Sequence, residues 1–151
     1  MNFLAAVCTS HAALPCLLDR VPATILTVSS GNALLPDPAV IDYSAAEATL
    51  TNFCKSLSKE FGARGVRVNT VSPGPVETVL WLADHGAPAT VARATDSHLD
   101  EVAKQTILDT STGRFTHRQQ VADLVLLLAS DRPGNNITGT DVLVGGLVKA
   151  L

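Results

Sequence analysis

Residues 23–75 read ATILTVSSGNALLPDPAVIDYSAAEATLTNFCKSLSKEFGARGVRVNTVSPGP, and the fold class follows from this stretch. Ala23-Thr24-Ile25-Leu26-Thr27-Val28 is a short, uncharged, β-branched run, the composition of a strand buried on both faces. Asp19, Arg20 and Pro22 turn the chain into it, and Ser29, Ser30 and Gly31 end it. Pro36 and Pro38 keep the next segment irregular. A helical pattern then runs from about Asp42 to Ala63, closed by Gly62 and Gly65. Val66-Arg67-Val68-Asn69-Thr70-Val71 is a second strand, and Ser72-Pro73-Gly74-Pro75 is expected to be a loop, because its two prolines lack amide donors. Two strands joined by a helix of this length pair in parallel, which makes the chain α/β.

Outward from this unit, the Ala- and Leu-rich segment from Asn2 to Leu18 predicts a helix too apolar for the surface, with Pro15 kinking or closing its last turn. Residues 79–98 have no clean period and read as a partly helical insertion or lid. A helix from about His98 to Asp109 follows, then the Ser111-Thr112-Gly113 turn. The next helix is expected to be capped by Thr116, with Gln119 reaching back, and to run to about Ser130. Asp131 to Gly139 is turn-rich, and Thr140 to Val144 is a third strand. The architecture is thus a partial Rossmann-like, doubly wound parallel sheet of about three strands with flanking helices. All-parallel sheets normally have more strands and two covered faces, so the chain reads as part of a larger sheet.

Composition narrows the function classes. The 151 residues are 46% apolar, 17% charged and only 4% aromatic, which points to a folded domain with an aliphatic core. A net charge of -3 without clustered Lys and Arg argues against a nucleic-acid partner. Cys8, Cys16 and Cys54 show no C-x-x-C spacing and read as reduced, buried thiols. His11, His85, His98 and His117 have no metal-ligand spacing, and no metal is expected. The N-terminus lacks a basic region before an apolar core, and no apolar run is long enough to span a membrane. A cytoplasmic protein is the expectation.

Several landmarks stand in the order and spacing of one family. They are Asn2 near the start of the first helix, Ser30 thirteen residues before Tyr43, Tyr43-Ser44-Ala45-Ala46, Arg67-Val68-Asn69, and Pro73-Gly74-Pro75-Val76-Glu77-Thr78. Gly113-Arg114-Phe115, Val121-Ala122, Leu127-Leu128-Ala129-Ser130 and Ile137-Thr138-Gly139 complete the series. The chain resembles the C-terminal, catalytic-side half of a short-chain dehydrogenase/reductase, and the resemblance covers nearly all of it. It implies a single domain over residues 1–151 that lacks the N-terminal dinucleotide-binding half. It also implies hydride transfer between NAD or NADP and a small alcohol or carbonyl substrate, in a homo-oligomer. The resemblance assigns Tyr43 as general acid/base, Ser30 as hydrogen-bond partner of the same substrate oxygen and Asn2 to the proton relay. It assigns Pro73, Gly74, Val76 and Thr78 to the loop that touches the nicotinamide.

Two departures stand beside the matches. No Gly-rich phosphate loop lies between a strand and a helix in this chain. Position 47, where the family has a lysine that supports the tyrosine and holds the nicotinamide ribose, is Glu47. One helical turn separates residues 43 and 47, so the reversed charge acts on the tyrosine, and a carboxylate offers the ribose no donor. The bland reading of Glu47 is a solvated residue in helical ion pairs. Impaired or absent activity is expected, and two other readings stand: a non-catalytic remnant or helix-mediated dimerisation module, or a chain whose upstream half is encoded before Met1.

Overall fold

The structure is a computed structural model that describes residues 2–82, Gly86, Ala89, Ala92 and 98–146. In chain order its elements are α1 (Asn2–Leu18), β1 (Ala23–Val28), α2 (Ile41–Phe61), β2 (Val66–Pro73), α3 (Val79–Leu82), α4 (Leu99–Asp109), α5 (Arg118–Ala129) and β3 (Asp141–Val144). The strands form one parallel sheet in the order β1-β2-β3, as strand–helix–strand alternation dictates. Residues Ala23 to Val28 pair in register with Val66 to Val71, and Thr70 to Pro73 pair with Asp141 to Val144.

Period-two alternation along β2 separates the two faces of the sheet. Val66 and Val68, with no exposed surface, pack with Leu50 and Cys54 of α2, and Phe3, Ile25, Phe53 and Leu57 close over them. Phe3 meets Phe53 edge-on, with centroids 5.8 Å apart, which joins α1 to α2. The alternate residues Arg67 and Asn69 reach the chain around the end of α5 instead. Arg67 Nη1 donates to Leu128 O (2.7 Å), Arg67 Nη2 to Ser130 O (3.3 Å), and Asn69 Nδ2 to Ile137 O (2.7 Å). Arg67 thus satisfies carbonyls that the end of a helix leaves unpaired.

Several expectations change. The strand β2 continues through Ser72 and Pro73, which were expected in a loop. Thr70 N and Gly74 N both donate towards β3, so the amide-less nitrogen of Pro73 points to the opposite side, where β1 has already ended at Val28. The strand β1 stands at an edge of the sheet, and in place of burial on both faces its residues are only partly covered, with Val28 56% exposed. The first helix is more exposed than its composition implied. Ser10 is its only buried residue, Leu4 is 66% exposed, and Cys8 and Cys16 are exposed, so only Cys54 fits the expectation of a buried thiol. Helix α5 is capped one residue later than expected, at His117, with the Gln120 side chain accepting from His117 N (3.0 Å). Thr116 is diverted into a bridge with Val76. Helix α2 ends where its glycines indicated, in a 3-10 turn Gly62–Arg64 closed by left-handed Gly65 (φ 83°). Of the expected lid over 79–98, α3 forms; apart from Gly86, Ala89, Ala92 and His98, the rest lies outside the described residues. None of the described helices is long and apolar enough to cross a membrane.

Candidate active site

Parallel strands deliver their C-terminal ends to one edge of the sheet, and chemistry in such folds gathers there. Here β1 ends at Val28, with Ser29-Ser30 next in the chain, and β2 ends at Pro73, followed by Gly74. Ser29 is buried and fastens this edge to α2: its Oγ donates to Glu47 O (3.4 Å) and accepts from Thr51 Oγ1 (3.3 Å). Ser30 caps the short 3-10 turn Gly31–Ala33, its Oγ accepting from Asn32 N (3.2 Å). Since that contact uses a lone pair, the Ser30 O–H stays available to donate.

The chain from Ser30 to Tyr43 folds back onto α2 through Ser44. This buried hydroxyl accepts from Asn32 Nδ2 (3.4 Å) and from Asp37 N (3.2 Å). Tyr43, in the first turn of α2 beside it, is 38% exposed, and its hydroxyl makes no hydrogen bond to a described residue. No hydrogen bond joins Ser30 to Tyr43 or Tyr43 to Asn2 among the described residues.

The Pro73–Thr78 segment is pinned at both ends. Gly74 N donates to Val144 O (2.8 Å), Thr116 N to Pro75 O (3.0 Å), and Glu77 N to Thr116 O (2.9 Å). Gly31 packs on it, with Pro73 O and Gly74 Cα within 4 Å of where a side chain would begin. A Cβ on Gly74 would lie 2.7 Å from Gly146 O, so glycine is what lets these two turns approach. The Glu77 carboxylate, 2.7 Å from His117 Nδ1, ties this segment to the start of α5. The structure therefore brings the Ser30 turn against Pro73 and Gly74, while Val76 and Thr78 follow along the same pinned segment.

Asn2 meets α2 at Glu47, one helical turn beyond Tyr43. Its Nδ2 donates to Glu47 Oε1 at 2.9 Å, linking the first turn of α1 to the second turn of α2. Glu47 is only 4% exposed, and its Oε2 is buried with no hydrogen-bond partner. This overturns the reading of Glu47 as a solvated ion-pairing residue. The supporting residues Ser29 and Ser44 were missed because each is an ordinary Ser beside a better-known one. The Asn2–Glu47 pair, 45 residues apart, has no signal in the sequence.

The residues present fit a nicotinamide cofactor only in part. The pinned, glycine-dependent Pro73–Thr78 segment offers a fixed backbone surface beside Ser30. Position 47 does not fit: no cation or donor stands there, and both carboxylate oxygens are enclosed. Among the described residues no group of three His, Cys, Asp or Glu side chains could hold a metal.

Residues 1–147 match the family model described as enoyl-(acyl carrier protein) reductase. An uncharacterized oxidoreductase of Bacillus subtilis is 35% identical over 122 residues, covering 81% of this chain and 37% of that protein. A crystal structure of a short-chain dehydrogenase/reductase family oxidoreductase from Burkholderia thailandensis is 31% identical, with a TM-score of 0.74, over 96% of this chain and 52% of that one. A proposed D-mannonate oxidoreductase from Haemophilus influenza, solved with bound NAD, is 26% identical with a TM-score of 0.77 over 96% of this chain and 49% of that one. The chain thus spans between 37% and 52% of the length of these relatives. By these matches the chain belongs to the short-chain dehydrogenase/reductase family.

Proposed function

We propose that this chain is the catalytic-side portion of an NAD(P)-dependent oxidoreductase acting on a small alcohol or carbonyl compound, and that it is impaired or inactive alone. The observation that carries the reading is the packing of Gly31, next to Ser30 just past β1, on Pro73 and Gly74, while Ser44 ties the same loop to the turn bearing Tyr43. A nicotinamide bound along Pro73, Gly74, Val76 and Thr78 would supply the hydride. Tyr43 Oη would hand its proton to the substrate oxygen on reduction and take it back on oxidation. The free O–H of Ser30 would donate to that oxygen and stabilise the charge that develops on it. Asn2 would enter the proton relay with one amide N–H already engaged by Glu47.

Impairment follows from chemistry that the chain lacks. No Gly-rich turn is present to hold a pyrophosphate, and a carboxylate stands where a cation would support a tyrosinate. The test is reconstitution: the N-terminal half of a relative is mixed with this chain or fused to it, and NAD(P)H oxidation is followed with a panel of small ketones and aldehydes. Turnover that disappears with Tyr43→Phe and falls with Ser30→Ala is expected. Turnover indifferent to Tyr43→Phe would overturn the assignment.

A second reading is a non-catalytic module that assembles through α1 and α2. The exposure of α1, with Leu4 at 66%, favours it, as does the diversion of Asn2 into a contact between those helices. Sedimentation of the chain alone and of a Leu4→Glu variant tests it, a shared monomeric state counting against assembly through this face.

A further inference from the structure

Glu47 is the one buried carboxylate of α2, and it is held at both ends. Ser29 Oγ donates to its backbone carbonyl at 3.4 Å and Asn2 Nδ2 to its Oε1 at 2.9 Å. The side chain is 4% exposed, and Oε2 is sealed from solvent without a partner. A buried carboxylate that lost its only side-chain donor would be strongly penalised, whereas Asn2, exposed at the start of α1, could rehydrate. The dependence is lopsided: Glu47 needs Asn2 far more than Asn2 needs Glu47.

We infer that Asn2 and Glu47 form a lock between α1 and α2 that closes the ribose subsite, so that two positions used for chemistry elsewhere in the family serve here as a helix-to-helix tether. With the carboxylate enclosed, position 47 offers a ribose hydroxyl neither a donor nor a free acceptor. Its Oε1 is occupied, its Oε2 is enclosed, and one N–H of the Asn2 amide is turned onto the carboxylate. Among the described residues the Pro73–Thr78 backbone remains as the fitted contact for a nicotinamide. The inference depends on the family reading only for identifying position 47 as that of the motif lysine.

Two readings on the chain as it exists test it, neither requiring turnover. In the first, Asn2→Ala is made in the native background and in Glu47→Met, which fills the same volume without a charge. The lock predicts that Asn2→Ala lowers the urea midpoint clearly in the native background and leaves it unchanged when Met stands at 47. In the second, nicotinamide mononucleotide, which carries the ribose but needs no pyrophosphate loop, is titrated to about 10 mM while backbone NMR signals of α2 are followed. No saturable shift over residues 43–47 is expected. An equal cost of Asn2→Ala in both backgrounds, or a saturable shift centred on residues 43–47, would overturn the inference. The reconstitution experiment can fail or succeed independently of either reading.

Discussion

Arg67→Met is the perturbation whose cost the structure defines best. The guanidinium lies under the end of α5 and makes two sound hydrogen bonds, to Leu128 O at 2.7 Å and Ser130 O at 3.3 Å, with a marginal third to Ile137 O at 3.5 Å. Its ion pair with Asp131 is at 4.0 Å, to a carboxylate that is 73% exposed, and contributes little. Hydrogen bonds from a charged donor are worth roughly 1.5–3 kcal/mol each, so losing two removes about 3–6 kcal/mol. Methionine occupies a similar volume, and removing a buried charge returns part of its desolvation cost, which leaves a net loss of about 2–4 kcal/mol. For a chain of this size that lowers Tm by about 4–16 °C. Urea unfolding followed by circular dichroism measures the loss, with Asp131→Asn as a control expected to change stability by less than about 0.5 kcal/mol. Native-state hydrogen exchange should also quicken at Ser130 N, now bonded to Leu126 O at 3.0 Å. If Arg67→Met unfolded within about 0.5 kcal/mol of the native chain, or Asp131→Asn matched its effect, the hydrogen-bond account of Arg67 would be refuted.

The chain alone should show no calorimetric binding to NAD, NADH, NADP or NADPH tighter than about 100 µM, and tighter binding would mean that another segment supplies the phosphate contacts. The free edge of β1, uncharged from Ala23 to Val28 with Val28 56% exposed, should drive self-association, read by light scattering across a concentration series. Thr24→Lys should reduce it, and a native chain that stays monomeric at about 100 µM would contradict the edge argument. Gly74→Ala places a Cβ 2.7 Å from Gly146 O, a backbone atom that must move, and should cost about 1–3 kcal/mol in urea unfolding; a neutral effect would show that the Pro73–Pro75 turn is looser than described.

Ser30, Tyr43 and the Pro73–Thr78 segment are legible as a candidate site through the family resemblance, while prolines, glycines and β-branched runs mark only the element ends beside them. Ser44 and Ser29 carry no such mark. Their importance lies in accepting or donating one hydrogen bond at a crossing of two elements, and a serine's neighbours in sequence do not report that. The capping of α5 moved from Thr116 to His117 for a similar reason: a bridge to Val76, forty residues away in the chain, took Thr116 before the helix could use it.

The alternation of apolar strands with long helices settled the α/β class, the parallel sheet and the approximate bounds of each element, because periodicity and turn residues act over a few positions. Burial was decided only in three dimensions. An apolar α1 lies largely exposed and an apolar β1 is only partly covered, since burial depends on which neighbour packs against an element, and composition does not name that neighbour. A glutamate that looked solvated proved to be enclosed: α2 turns Glu47 inward beneath α1, where Asn2 from 45 residues away donates the only side-chain hydrogen bond it receives from the described residues.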